Sequence, residues 1–366
     1  IRYNKQIQNK LNINIDDYKD YNQIEIEIIP FNEADKNIFI NIKEENKLYY
    51  HIYFNDNKEE IKRNYFTKDD NVNKIRIIID KEIKSLNGLF KECNCIKKIN
   101  FIKFNKEDIN DMSYMFAYCE NLTELNLVNF NTNNVTKMAH MFDYCKQLEK
   151  IDLSNFNTIN IIDMSFMFDG CKSLKEINLT NFNTDNATDM SSLFYGCSAL
   201  KELNLSNFNT SQVTDMHYMF SNCASLTSID LSHFKTHNLG CMRHMFEGCI
   251  SLKFLNLTSF DTSKVNLMEY IFHDCSSLKS LNLSNFNTSK VSSISSMFRN
   301  CSSLKILDLE NFDLSRIASL SNMFIDCEKL KFINFKYKEN LYYLGHMSNS
   351  SKNNISICLN NKSYTS

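Results

Sequence analysis

A 26-residue register running from about residue 86 to residue 331 constrains this chain more than any other feature. Phe recurs at 90, 116, 142, 168, 194, 220, 246, 272, 298 and 324, and Cys stands three residues after each, from Cys93 to Cys327. Ten copies without an insertion define a repeat architecture in which each unit packs on its neighbours. One such unit cannot bury enough apolar surface to offset the entropy of ordering its backbone, so stacking is obligatory.

Each unit divides in two. The first half reads Leu-x-x-Leu-x-Leu-x-x-Phe, as at Leu200, Leu203, Leu205 and Phe208. Its alternation predicts a strand buried on one face. The second half carries Val213, Met216, Met219, Phe220 and Cys223, whose spacings of three and four predict one stripe of a short helix. Thr214 is placed to cap that helix and Asp215 to sit in its first turn. Gly or Asn just before the Cys (Gly170, Gly196, Asn222, Gly248, Asn300) suits a left-handed terminating residue. The predicted fold class is therefore an α/β repeat solenoid. Ten strand-turn-helix units would form a parallel sheet face with short helices opposite, about 45 Å long at a strand spacing of about 4.8 Å.

At these residues the chain resembles the BspA-type leucine-rich repeats, a bacterial and protist surface-protein subtype with the pattern N-V-T-x-M-S-x-M-F-x-x-C-x-x-L-x-x-L-x-L-S-x-F. NVTKMAHMFDYCKQLEKIDLSNF (Asn134 to Phe156) and QVTDMHYMFSNCASLTSIDLSHF (Gln212 to Phe234) are close matches. The resemblance implies a binding horseshoe or rod, often on a cell surface, without catalysis. One departure concerns the turn after the strand. The ladder Asn of familiar leucine-rich repeats is replaced by Phe104, Phe130 and onward to Phe312, so the turn is expected to be held by the Asn-Thr that follows, as at Asn209-Thr210.

Outside the repeat, residues 1–22 read as a polar lead-in and 23–82 as a small β-rich domain. That domain contains the runs QIEIEII, NIFINI, KLYYHIYF and NKIRIIID. Its expected role is to cap the exposed end of a solenoid spanning 83–337. Residues 338–366 read as a C-terminal cap and mobile tail, with a last strand within Ile355–Asn360. The chain begins at Ile1 without a basic, apolar and small-residue leader, so either a signal was removed or the sequence is a fragment. A formal charge of −2 sets up no global field toward nucleic acid or anionic lipid. No apolar run is long enough for a membrane span.

Thirteen cysteines invite a disulfide framework, but ten occupy one core-facing column and the total is odd. They read as buried, inert thiols, with Cys95, Cys241 and Cys358 outside the column. No phosphate-binding, dinucleotide-binding, nucleophile-elbow or HExxH motif is present, so no enzyme and no cofactor are expected. His233, His237, Cys241 and His244 have metal-like spacing within one unit, and Cys241 and His244 would share a helix face. The same columns vary freely elsewhere, so they read as exposed positions without a metal.

Functional signal lies in the outward columns of the strand. Asn256, Asn282 and Asp308 belong to a row of amides and carboxylates, read either as a polar groove or as side-chain stacking that holds register. The neighbouring column is charged early (Lys98, Glu124, Lys150, Glu176, Glu202) and apolar late (Phe254, Ile306, Phe332). Beside the late part stands a row of Lys253, Lys279, Lys305 and Lys331. Apolar residues rimmed by lysines predict a binding surface for a protein or glycan on the C-terminal half of the sheet face. The expected protein is a surface adhesion or interaction solenoid; the alternatives are an intracellular scaffold, with a cytoplasmic location, and a purely structural spacer.

Overall fold

The computed structural model describes residues 23–31, 34–80, 82–104, 106–335, 356–359 and 362–365. The lead-in expected at 1–22 and most of the tail expected at 338–366 lie outside these.

Alternating isoleucines build the N-terminal sheet. β1 (Ile24–Pro30) buries Ile24, Ile26 and Ile28 and pairs antiparallel with β5 (Ile75–Ile79), which buries Ile75, Ile77 and Ile79. β3 (Tyr50–Phe54) pairs with the other edge of β5. β2 (Asn37–Ile38) and β4 (Tyr65–Phe66) form a separate short ribbon. On its free side β1 pairs antiparallel with β6 (Ile96–Phe104), the strand of the first repeat, and β6 pairs parallel with β7 (Glu124–Asn126). The order β3-β5-β1-β6-β7 thus runs from the N-terminal unit into the repeat without an open edge at β6.

The repeat differs from the predicted α/β class. Among the described residues the helical segments are two 3-10 turns, Glu44–Tyr49 and Lys68–Asp70, both before the repeat. Among the described residues no helix stands opposite the sheet. The stripe Val213, Met216, Met219, Phe220 and Cys223 is fully buried as expected, but on successive turns. Tyr218 has φ +57° and Asn222 φ +60°, and left-handed residues recur at both positions in all ten coils. An α-helix cannot pass through such a residue. Thr214 is correspondingly no helix cap; its hydroxyl donates to Thr188 O of the preceding coil at 3.2 Å.

What replaces the helix is a ladder between coils. Alternate amides donate to the next coil: Met216 N to Cys241 O, Tyr218 N to Arg243 O, Phe220 N to Met245 O and Asn222 N to Glu247 O, at 2.6–3.1 Å. The amides between them close turns within the coil, as Met219 N to Met216 O, Ser221 N to Tyr218 O and Cys223 N to Phe220 O. Every backbone donor from Met216 to Cys223 except His217 N therefore finds a backbone carbonyl, and His217 N finds the Asp215 carboxylate. Isolated parallel bridges follow this ladder from Asp163 through Asp189, Asp215, Cys241, Leu267 and Ser293 to Ser319.

The Leu-x-Leu half is less regular than a continuous parallel sheet. β8 (Lys150–Asp152) pairs with β9 (Glu176–Asn178), and β10 (Ile306–Leu309) with β11 (Phe332–Phe335), in separate small sheets. β12 (Ser356–Leu359) extends the last sheet in parallel, and β13 (Lys362–Thr365) closes it antiparallel. The core between the two halves is a column of rings: Phe90 through Phe324 stack at 5.5–6.0 Å between successive centroids.

The turn after the strand is held by Thr, as the sequence suggests, and also by an unanticipated Asn. Buried Thr210 donates to Lys235 O at 3.1 Å and accepts Lys235 N at 2.8 Å, a reciprocal pair repeated at Thr132, Thr158, Thr184, Thr236 and Thr262. The Asn just before the Phe reaches back one coil: Asn155 to Leu127 O, Asn207 to Leu179 O and Asn285 to Leu257 O, at 2.9–3.0 Å. The ladder amide is present, displaced by one position.

Candidate functional site

On the late strand face Phe254, Ile306 and Phe332 are 59%, 62% and 49% exposed. Ile306 lies opposite Phe332 in the β10–β11 register, while Ser280 separates the Phe254 coil from them. Lys253, Lys279, Lys305 and Lys331 are all exposed, one residue before this column. Backbone bonds join them in two pairs, Lys279 N to Lys253 O and Lys331 N to Lys305 O, and the four follow one another at the 26-residue register along the column.

Asn256, Asn282 and Asp308 are exposed beside these lysines, but their acceptor oxygens are engaged. Each takes the amide two residues ahead (Thr258, Ser284 and Glu310, at 3.0–3.1 Å), the geometry of an Asx turn that ends the strand. Amide stacking along the column occurs at Asn126–Asn100 and Asn334–Asp308, at 2.9 and 3.1 Å. The column is thus chiefly a strand terminator, with the exposed Asn256 and Asn282 side chains at the surface.

The early strand face is concave. A groove of about 820 Å³ lies over the first units, with Glu27 of β1 on one wall and Lys98, Glu124, Lys150, Asp152 and Glu176 along its floor. Lys98 and Glu124 form a 2.6 Å ion pair, and Lys150 stands opposite Glu176 in register. The Ser154 amide holds the Asp152 carboxyl below its usual range. The sequence marked this column as charged but not the wall from β1, which is contributed by a strand some 70 residues earlier than Lys98.

The four residues with metal-like spacing are not brought together. His233 occupies the displaced-Asn column, its Nε2 2.8 Å from Leu205 O. His237 is exposed. His244 is sandwiched between Tyr218 and Tyr270 and bonds Glu247 at 2.7 Å. Cys241 instead meets Asp215 and His217 of the preceding coil.

These features define the class: a leucine-rich-repeat protein in which stacked turns stand where helices were expected. The family model described as "Mycoplasma protein of unknown function, DUF285" matches residues 84–199, 170–255 and 241–356, and the chain belongs to that family. The matches overlap, as a model of repeated units does, and the BspA-type leucine-rich repeat recognised in the sequence spans the same coils. No curated protein matches the chain. Among solved structures it is similar to a leucine-rich repeat protein from Bacteroides ovatus ATCC 8483, with 17% identity over 78% of this chain and 70% of that one and a TM-score of 0.44. A leucine rich cell surface protein from Faecalibacterium prausnitzii A2-165 shares 16% identity over 72% and 79% of the two chains, TM-score 0.36. TLR13 in its complex with ssRNA13 shares 16% over 66% and 44%, TM-score 0.22. No helix among the described residues is long and apolar enough to cross a membrane.

Proposed function

We propose that the chain is a non-catalytic interaction protein of the cell surface whose late strand face receives a protein partner. The observation that carries this reading is the solvent exposure of Phe254, Ile306 and Phe332 along one column, bordered by four lysines. Large apolar side chains held on a rigid face gain free energy when covered, about 25 cal/mol per Å² of apolar surface. The lysine rim favours a partner whose own apolar side chains are bordered by carboxylates. A second reading places the partner in the early groove, and its concavity favours it.

The experiment is affinity capture with the intact chain from surface extracts of the source cell and its environment, followed by titration of the captured protein. The triple variant Phe254→Ser, Ile306→Ser and Phe332→Ser should abolish binding and leave the urea midpoint nearly unchanged. Charge reversal at Glu176 and Glu202 should have little effect. Loss of binding on reversal at Glu176 with retention in the triple variant would move the site to the groove. Capture of glycan alone, or of nothing, would overturn the protein-partner reading.

A further inference from the structure

We propose that Asp215, His217 and Cys241 form a binding site for a divalent metal ion of the zinc type, built across two successive coils. The ladder creates the juxtaposition. Asp163, Asp189, Asp215 and Cys241 occupy one column of parallel bridges, so Cys241 presents a thiol where the series would place another carboxylate. In the earlier coils the carboxylate accepts a serine amide, Ser165 N to Asp163 and Ser191 N to Asp189, at 2.8–2.9 Å. At the third coil His takes the place of Ser. Asp215 then accepts both the amide and the ring Nδ1 of His217, at 2.9 and 2.7 Å.

A carboxylate oxygen, an imidazole nitrogen and a sulfur thereby lie within 4.8 Å of one another, each on a half-buried residue. Ligand atoms around tetrahedral zinc stand about 3.3–3.8 Å apart, given bond lengths of about 2.0–2.3 Å, so side-chain rotation closes the set. Three protein ligands leave a fourth position for water. This donor set selects zinc or cobalt over calcium or magnesium, which take oxygen ligands.

The surroundings suit a cation. Arg243 is the cation that bears on the cluster among the described residues, and its Nε lies 3.2 Å from Glu269 Oε2. Asp189, Asp215 and Glu269 then outweigh it by two charges before the thiol ionises. Cys241 is the most exposed cysteine among those whose side chains are described. Burial pushes its thiol up to about 11, so the free protein holds the proton. On binding, the Sγ–H bond breaks, an Sγ–metal bond forms and the proton leaves to solvent. The Nδ1–H bond of His217 breaks as well, its proton passing to solvent or, through solvent, to Nε2, and the His217–Asp215 hydrogen bond gives way to two bonds to the ion. Affinity therefore rises with pH.

The test is titration of the intact, reduced chain with Co²⁺, monitored by absorption. The proposal requires one equivalent to bind with a thiolate-to-cobalt charge-transfer band. Cys241→Ser should remove that band, His217→Gln should weaken binding about tenfold or more, and His233→Gln should change nothing. In the unsubstituted protein Zn²⁺ should protect Cys241 from alkylation, a readout independent of variant folding. Absence of the band in native protein, its persistence in Cys241→Ser, or alkylation of Cys241 at the same rate with and without Zn²⁺ would overturn the proposal.

Discussion

The Cys223 thiol donates to the carbonyl of Phe194, 29 residues earlier, at 3.2 Å. The same bond recurs down the column from Cys119–Phe90 to Cys327–Phe298. Each carbonyl already takes the amide of its own turn, as Phe194 O takes Cys197 N, and the thiol uses its second lone pair. Cysteine is small enough for the stacked-turn interior and still supplies a donor to the preceding coil, so these thiols are structural pins.

Thiol chemistry should therefore be graded. Burial raises Cys223 to about 12 and Cys119 higher still, so native protein has almost no thiolate in the column at neutral pH. A maleimide reagent should label Cys241 first among the cysteines of the repeat, and denaturant should expose the others. Intact mass under non-reducing conditions should show free thiols. Five or more disulfides would refute the pinned column.

Packing energy should concentrate on the ring stack. Phe220 is fully buried between Phe194 and Phe246, at 6.0 and 5.5 Å. Phe220→Ala should cost about 3–5 kcal/mol through the cavity it leaves. Tyr218→Ala should cost under about 1 kcal/mol, because the residue is partly exposed and its ring only stacks on His244 and meets Tyr195 and His217 edge-on at the surface. Tyr218→Gly should cost less than Tyr218→Ala, since glycine removes the penalty of its left-handed φ. Urea melts measure all three.

The buried stripe was legible in the sequence; the backbone that carries it was not. Met216, Met219, Phe220 and Cys223 are apolar because they face the core, and a spacing of three and four serves a chain of turns as well as a helix. The left-handed residue before Cys was visible where Gly170, Gly196 or Asn222 occupies it. The other left-handed position is filled by Tyr114, His140, Phe166 or Tyr218, types that give no such signal, and this position breaks the helix. Of the candidate surface, exposure of Phe254, Ile306 and Phe332 followed from strand alternation. The groove wall at Glu27 did not, because it depends on β1 pairing with a strand far along the chain.

Asp169 makes stability pH-dependent. Burial and the neighbouring Asp143 carboxylate raise its carboxyl to about 7, and its Oδ1 is buried without a hydrogen-bond partner. The folded state thus holds a proton that the unfolded chain releases near its ordinary value of about 4. The resulting stabilisation is full below that value, declines as pH rises toward 7 and is gone above it. Asp169→Asn should flatten this slope and raise stability at pH 8 by about 1–2 kcal/mol. Melts of both proteins between pH 5 and pH 8 check the sign; a wild type more stable at pH 8 than at pH 5 through this residue would refute it.

The most direct test of the stacked-turn architecture is the far-ultraviolet circular dichroism of the intact chain. With 3-10 turns confined to Glu44–Tyr49 and Lys68–Asp70 among the described residues, the spectrum should lack the double minimum of an α-helix. A helical signal of the size expected from ten short helices, one per coil, would contradict the inter-coil ladder and restore the strand-turn-helix unit.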